Sequence, residues 1–248
     1  MNSFDGLTSE NIRARAERGI LLLPIGSVEQ HGPHLPLTVD ISIPSRIAAA
    51  LAEKVEGCVA PAIPYGVRSF PQSGGGPELA GTIHVRGTVF TEYLKDIICG
   101  YVRTGFRSIV ILNGHYENES FLFEAIELCR EEGKLEGVKI VALSWWSLVS
   151  QTLLDKIFDG KFPGWETEHA SVCETSLMLH LNKDMVGPTR LDNPTPPRAG
   201  IYFFPAESAK LSNRGVLGTS SISTAEIGRA LFEEICSQLE ELVRKHLG

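Results

Sequence analysis

The 248-residue chain lacks several features, and each absence narrows what it does. It has no long run of Lys or Arg, and 23 basic against 30 acidic residues leave a formal net charge of −7. Such a chain repels nucleic-acid phosphates and anionic membrane surfaces, so neither is an expected partner. No stretch approaches the roughly 20 consecutive apolar residues that span a bilayer. The first residues, MNSFDGLTSENIRARAERG, carry Asp5, Glu10 and Glu17 and no apolar core, so they read as neither a secretory signal nor an anchor. Paired cysteine motifs are missing: Cys58, Cys99, Cys129, Cys173 and Cys236 are odd in number, far apart and set among apolar neighbours. That pattern fits reduced, buried thiols in a cytoplasmic protein better than a disulfide framework or a zinc site. There is also no internal repeat, no low-complexity tract and no dinucleotide fingerprint after a strand.

What is present is ordinary globular material, 43% hydrophobic and 21% charged, long enough for a sizeable core. With no linker to divide it, residues 1–248 read as one domain. A helix from Ser9 to Arg18 stops at Gly19, and ILLLPIG follows as an apolar strand covered on both faces. Pro44 suits a first-turn position for the next helix, which Gly57 stops. CVAPAIPYG reads as a second strand. Over residues 88–104, Val89, Tyr93, Ile97 and Tyr101 stand four apart and predict a core-facing stripe. SIVILNGH is a strand, ENESFLFEAIELCREEG a helix and VKIVALSWW a strand. A further helix runs to about His180, and the last starts near Ser223 or Thr224. This alternation predicts an α/β fold, a mostly parallel sheet flanked by helices on both faces. The Pro/Gly-rich loop from Pro188 to Pro205 is long enough to suggest a lid or a subunit contact.

Two apolar strands end in chemistry. The first leads into Glu29, His31 and Asp40, and the second into Asn113, Gly114, His115, Tyr116 and Glu117. In open α/β sheets, ligands bind beyond the carboxyl ends of the strands, where these residues lie. Two imidazoles and three carboxylates are the nitrogen and oxygen donors that suit Zn²⁺, Mn²⁺ or Fe²⁺, whereas Ca²⁺ and Mg²⁺ prefer oxygen alone. Five donors exceed what one catalytic zinc needs. Two metals sharing a carboxylate would use them all and would activate water for hydrolysis. The plainer alternative is a solvated loop and a helix cap. Gly32 and Gly114 beside the histidines favour backbone turns that aim the side chains inward.

With these residues assembled, the sequence resembles the creatininase family of metal-dependent amidohydrolases. The resemblance rests on PIGSVEQHGPHLPLTVD, YGVRSFPQSGGGPELAGTI, ILNGHYENESF, LSWW and GWETEHASVCETSLML, in order over residues 20–180. It implies a single α/β domain of four-layer-like sandwich character, two divalent metals per subunit and a homohexamer. Carried over by position, Glu29, Asp40 and His115 would hold one metal, and His31, Asp40 and Glu117 the second, with Asp40 bridging. His169 would carry a proton, with Glu117 also a candidate for proton handling. Trp146 and Trp165 would wall the substrate pocket, although core packing also suits large aromatics. Ser73, ahead of Gly74, Gly75 and Gly76, and Tyr116 and Glu166 are further candidates for substrate contact. Glu168 or Glu174 would orient His169, unless they form helical ion pairs. His34, His84, His180 and His246 fall outside the ligand pattern.

The resemblance implies ring opening of a small cyclic amide, creatinine to creatine. Glu166 stands where creatinine-hydrolysing members carry aspartate, so other reactions of the family remain open: opening of a cyclic inosose ketone, deformylation of a formamidopyrimidine, or cleavage of a modified peptide. A phosphate-bearing substrate would need basic partners, and Arg68 is the only evident one. A metal-stabilised binding protein without activity is the competitor from another class. A metal analysis combined with an activity screen separates it from an enzyme.

Overall fold

Short apolar runs rich in branched side chains become strands, and the amphipathic stretches between them become the crossovers. In the computed structural model, which describes residues 3–247, α1 (Ser9–Arg18) leads into β1 (Ile20–Ile25), then α2 (Val39–Ala52) and β2 (Gly57–Val59). After these come α3 (Gly87–Thr104), β3 (Ser108–Asn113), α4 (Asn118–Glu131) and β4 (Lys139–Ser144). Helices α5 (Gln151–Phe158), α6 (Val172–Leu181), α7 (Ser208–Leu211) and α8 (Ala225–Leu247) follow. The expected domain also takes in residues 1, 2 and 248, which lie outside those described.

The strands pair in parallel in the order β2-β1-β3-β4, with Leu22 beside Val59 and Val110 and Ile111 beside Ala142. Alternate side chains feed two cores. Leu22, Val110 and Leu112 pack with Ile43, Leu177 and Leu239 from α2, α6 and α8. Leu21, Leu23, Ile109 and Ile111 pack with Ala16, Phe90 and Leu122 from α1, α3 and α4. Each fully buried Leu or Ile contributes about 1.5–3 kcal/mol, so a charge at Leu22 or Leu23 would break one core or the other. The sheet thus lies between two helical layers, as the alternation predicts. The expected four-layer character is absent, because the described residues form one sheet and helices close both of its faces.

Other expectations shift in detail. The buried stripe of α3 is Phe90, Leu94 and Ile98, one residue on from the predicted one, and Val89 and Tyr93 are exposed. A step of one residue turns a helix by about 100°, so the two stripes lie on different faces. CVAPAIPYG yields only two of the three residues of β2, Cys58 and Val59, and an isolated bridge from Ile25 to Ile63, since Pro61 and Pro64 have no N–H to donate to a ladder. Helix α2 begins at Val39, which puts Pro44 inside it and Asp40 in its first turn. All five cysteines are free thiols; Cys99 is half-buried and the others are buried. Among the described residues no helix is long and apolar enough to cross a membrane.

Candidate metal centre and active site

The carboxyl ends of β1, β3 and β4 open on one side of the sheet, and the polar side chains collect there. Glu29 and His31 lie on the loop after β1, and His115 and Glu117 on the turn from β3 into α4. Asp40 comes from α2 and Glu174 from the first turn of α6. Trp145 and Trp146 follow β4 directly. The helix carrying Asp40 sits hard against the strand ends. Pro44 cannot donate the bond that the Asp40 carbonyl would normally receive, and the ring crowds that carbonyl. A Cβ on Gly26 or Gly114 would fall 2.2 or 2.1 Å from the Asp40 carbonyl oxygen, so glycine at both positions lets it pass.

Asp40 is the centre of the cluster. Its Oδ1 lies 3.1 Å from His31 Nε2 and its Oδ2 3.0 Å from His115 Nδ1. Glu29 Oε1 lies 3.6 Å from His115 Nδ1 and 3.2 Å from His169 Nδ1, and Glu174 Oε2 lies 3.6 Å from His31 Nε2. Glu29, Asp40 and His115 therefore form one group of potential ligand atoms within 4.8 Å of one another, and His31, Asp40 and Glu174 form a second. Glu29, His31 and His169 form a third. Asp40 belongs to the first two. The resemblance puts Glu117 in the second set. In the structure its Oε1 instead accepts the Phe70 N–H (3.1 Å) and the Ser73 hydroxyl (2.5 Å), and its Oε2 lies 3.3 Å from His115 Nε2. Glu117 thus borders the first group, while Glu174, which the residue pattern did not mark as a ligand, completes the second.

These donors fit divalent metal. Glu29 Oε2 is buried with no hydrogen-bond partner among the described residues, and His31 Nε2 and Glu117 Oε2, though 3.1 Å from Asp40 and 3.3 Å from His115, make no well-aligned hydrogen bond. Such atoms cost about 1–3 kcal/mol each unless something meets them. The field in the cluster points the same way. Burial opposes charge on His31, yet Asp40 and Glu174 outweigh it and lift the imidazole well above its ordinary pKa. Burial likewise opposes charge on His115, and Glu29, Glu117 and Asp40 outweigh it. Burial also works against the Asp40 carboxylate, but His31 and His115 hold its pKa below the usual range. A field that keeps protons on two buried imidazoles favours any cation there, and a divalent metal would displace those protons. The mixed imidazole and carboxylate set suits Zn²⁺ or Mn²⁺, with Fe²⁺ of similar preference. The ligand rings are held from behind: His31 Nδ1 lies 3.1 Å from the Glu29 carbonyl and His115 Nε2 2.9 Å from that of Val67.

His169 lies beside the cluster, its ring centroid 4.2 Å from that of His31. Burial and the neighbouring His31 push its pKa down to about 4, so it is neutral near pH 7. Its Nε2 meets the Gln30 carbonyl at 2.8 Å and the Gln30 side-chain nitrogen at 2.9 Å. Gln30 and Glu29 therefore hold the ring, and the two carboxylates expected to orient it are engaged elsewhere. Glu174 accepts the Ala170 N–H (2.7 Å), and Glu168 accepts the Cys173 N–H (2.8 Å). Burial pushes the Glu168 carboxyl up to about 8 despite that bond. His34 stays outside the metal groups, with its Nε2 2.9 Å from Thr175 Oγ1.

Three indoles wall the mouth. Trp146 and Trp165 lie 6.4 Å apart at 31°, and both meet buried Trp145 nearly edge-on at 5.5 and 5.6 Å. Tyr116 stacks on Trp146 at 6.2 Å, and burial together with the nearby Glu166 carboxylate pushes its phenol pKa up. Ser73, Tyr116, Trp146 and Trp165 line the same inner cavity as the metal groups. Glu166 lies further out, in an adjoining cavity.

The family model described as creatinine amidohydrolase matches residues 5–243. Creatinine amidohydrolase of Pseudomonas putida is 34% identical over 246 residues, covering 96% of this chain and 95% of that one. A 3-dehydro-scyllo-inosose hydrolase of Thermotoga maritima is 28% identical over 265 residues, covering 97% and 82%. Among solved structures, a manganese form of creatininase superposes with a TM-score of 0.91 at 33% identity, covering 98% of each chain.

Proposed function

This chain belongs to the creatininase family of hydrolases, and we propose that it opens a small cyclic amide, creatinine to creatine, at a dinuclear metal centre. The observation that carries this reading is the placement of Asp40, whose two oxygens face His31 and His115 in two adjoining ligand groups beside His169. Glu29, His31, Asp40, His115 and Glu174 would hold two divalent cations, with Glu117 at the margin of the first group. So bound, the cations polarise a carbonyl and make water nucleophilic near neutral pH.

The chain's own side chains do the rest. Trp146 and Trp165 present flat faces at the mouth and orient a planar ring. Tyr116 and Ser73 border the reacting end, and Ser73 holds Glu117 in place through its hydroxyl. In the reaction, the oxygen of water adds to the ring carbonyl carbon and the bond from that carbon to the ring nitrogen breaks. The bonding pair stays on nitrogen. His169, neutral and held by Gln30 and Glu29, takes a proton from the attacking water and delivers it to that nitrogen. The carbonyl carbon ends as a carboxylate, and the second proton of the water goes to the released guanidino group, which becomes a guanidinium. Assembly as a homohexamer and residence in the cytoplasm belong to the same proposal, and the free thiols support the second.

The test is creatine formation by the purified protein loaded with Mn²⁺ or Zn²⁺. Turnover should fall by about 10²–10⁴-fold in His169→Ala with metal content retained. A metal-loaded protein that leaves creatinine intact would reject this substrate and turn the search to other cyclic amides and to ketones such as the one its Thermotoga relative is named for.

A further inference from the structure

The inner cavity encloses only about 30 Å³, little more than the space of the reacting group. A second cavity of about 480 Å³ opens directly outside it. Ser73 and Tyr116 line both, so the two adjoin. The outer wall is built from Phe70, Ile201 and Tyr202, and Glu166 and Arg198 also line it. Nothing in the reaction described above uses it.

This wall is a fixed surface. Phe70 and Tyr202 meet edge-on at 5.5 Å, and Gln72 donates its side-chain N–H to the Phe203 carbonyl at 3.0 Å. Further along, Ser208 donates its hydroxyl to Glu78. These contacts tie the stretch around residues 201–208 to the glycine loop that carries Ser73. Yet the apolar groups they hold stay wet: Ile201 is 46% and Tyr202 66% exposed. Tyr116, which lines both cavities, presents an aromatic face where they adjoin. A methyl-sized group on a ring at the mouth leaves this surface in water, whereas a phenyl or branched alkyl group would cover it. Burial of apolar surface is favourable in proportion to its area.

We propose that the outer cavity is a substrate subsite, and that this protein prefers creatinine-type cyclic amides whose ring substituent is aromatic or branched and larger than methyl, seated against Phe70, Ile201 and Tyr202. This rests on the reading of the inner site as a ring-opening centre. The occupant is part of the substrate, because the cavity shares its lining with the metal site.

The experiment compares creatinine with its analogue bearing benzyl in place of the ring N-methyl group, using the metal-loaded protein and Tyr202→Ala. The benzyl compound is expected to exceed creatinine in kcat/KM by about tenfold, mainly through KM. Tyr202→Ala should lower its kcat/KM at least about fivefold more than that of creatinine. Equal or better use of creatinine overturns the proposal, and so does an equal loss on both compounds. Tyr202→Ala that changes the sedimentation coefficient and affects both compounds alike would assign the loop to a contact between copies, which also overturns it. Calorimetry separates this proposal from the reading of the centre. If neither compound is opened, about tenfold tighter binding of the benzyl compound that depends on Tyr202 keeps the subsite and discards the ring-opening chemistry. Equal binding then discards both.

Discussion

The floor and the rim of this site are built by opposite means. On the floor, His31 is 0%, Glu29 1%, Asp40 2% and His115 2% exposed, and each stands on or next to the end of a central strand or the first turn of a helix packed on it. On the rim, Tyr202 is 66% and Phe204 86% exposed, on a stretch with no regular structure. The floor is positioned by the sheet and can hold charged groups within a few ångströms because backbone and buried amides fix them. The rim is positioned by a few side-chain contacts. Chemistry on rigid elements and selection on loops is a division that lets a family keep one reaction and change its substrates. Tyr116, which lines both the inner and the outer cavity, lies on the boundary between the two.

The largest effect tests whether the floor is one unit. Asp40→Asn keeps the shape and removes the shared charge. Both ligand groups that contain Asp40 should suffer together, with metal content falling at both sites and turnover dropping by more than about 100-fold, beyond what a partner one layer further out typically costs. Elemental analysis of the purified variant checks this. Loss of one metal with the other retained at full affinity would show two independent sites and break the floor into parts.

A smaller effect is expected from the layer beneath. Asn118 is fully buried, accepts the Val67 N–H at 2.9 Å, and donates to the Gly26 carbonyl at 3.1 Å and to Asn113 Oδ1 at 3.2 Å. It ties the end of β1, the loop behind His115 and the end of β3 together without touching the ligand atoms. Asn118→Ala should cost about 10–100-fold in metal affinity. It should also destabilise the fold by about 1–3 kcal/mol for each buried group left unpaired. Denaturation and metal titration of the same preparation separate the two. Unaltered metal affinity in a destabilised protein would mean that the floor holds itself without this layer.

These distinctions explain what could be read from the sequence. Glu29, His31 and His115 were legible because each follows an apolar strand within a few residues, and strand ends are where an α/β sheet gathers its ligands; Asp40, in the first turn of α2, was legible as the end of the polar run that follows β1. Glu174 was not, since it lies on an otherwise ordinary helix and only the packing of α6 against α2 brings it to His31. Gln30 was hidden between two better candidates, although its neighbours are both in the cluster. The shifted stripe of α3 shows a related limit. Phe90, Leu94 and Ile98 have the same spacing as the predicted stripe, and which of two adjacent faces is buried depends on how the helix docks. The start of α2 failed for a local reason. Proline marks a first turn in general, but here Gly26 and Gly114 make room for the carbonyl that Pro44 leaves without a helical donor.

The smallest effect sharpens the account of the floor, because it concerns backbone alone. Ala170 has φ of 54°, a left-handed conformation that few side chains adopt, and in it the Ala170 N–H points at Glu174 Oε2 from 2.7 Å. The strain sits between His169 and the helix that carries Glu174, so one peptide group ties a carboxylate of the second candidate ligand group to the proposed proton carrier. Ala170→Gly relieves the strain but gives the unfolded chain more freedom, and the two terms are each about 1 kcal/mol and opposed. Its stability should therefore change by less than about 1 kcal/mol, and metal affinity should stay within about threefold. Ala170→Val meets the same φ with a branched side chain in a fully buried position, and should lose about 1–3 kcal/mol and bind metal more weakly. Equal behaviour of the two variants in thermal unfolding and metal titration would show that Glu174 is placed by α6 alone. A loss confined to valine would show that the conformation of one residue helps to set the position of the floor's last carboxylate.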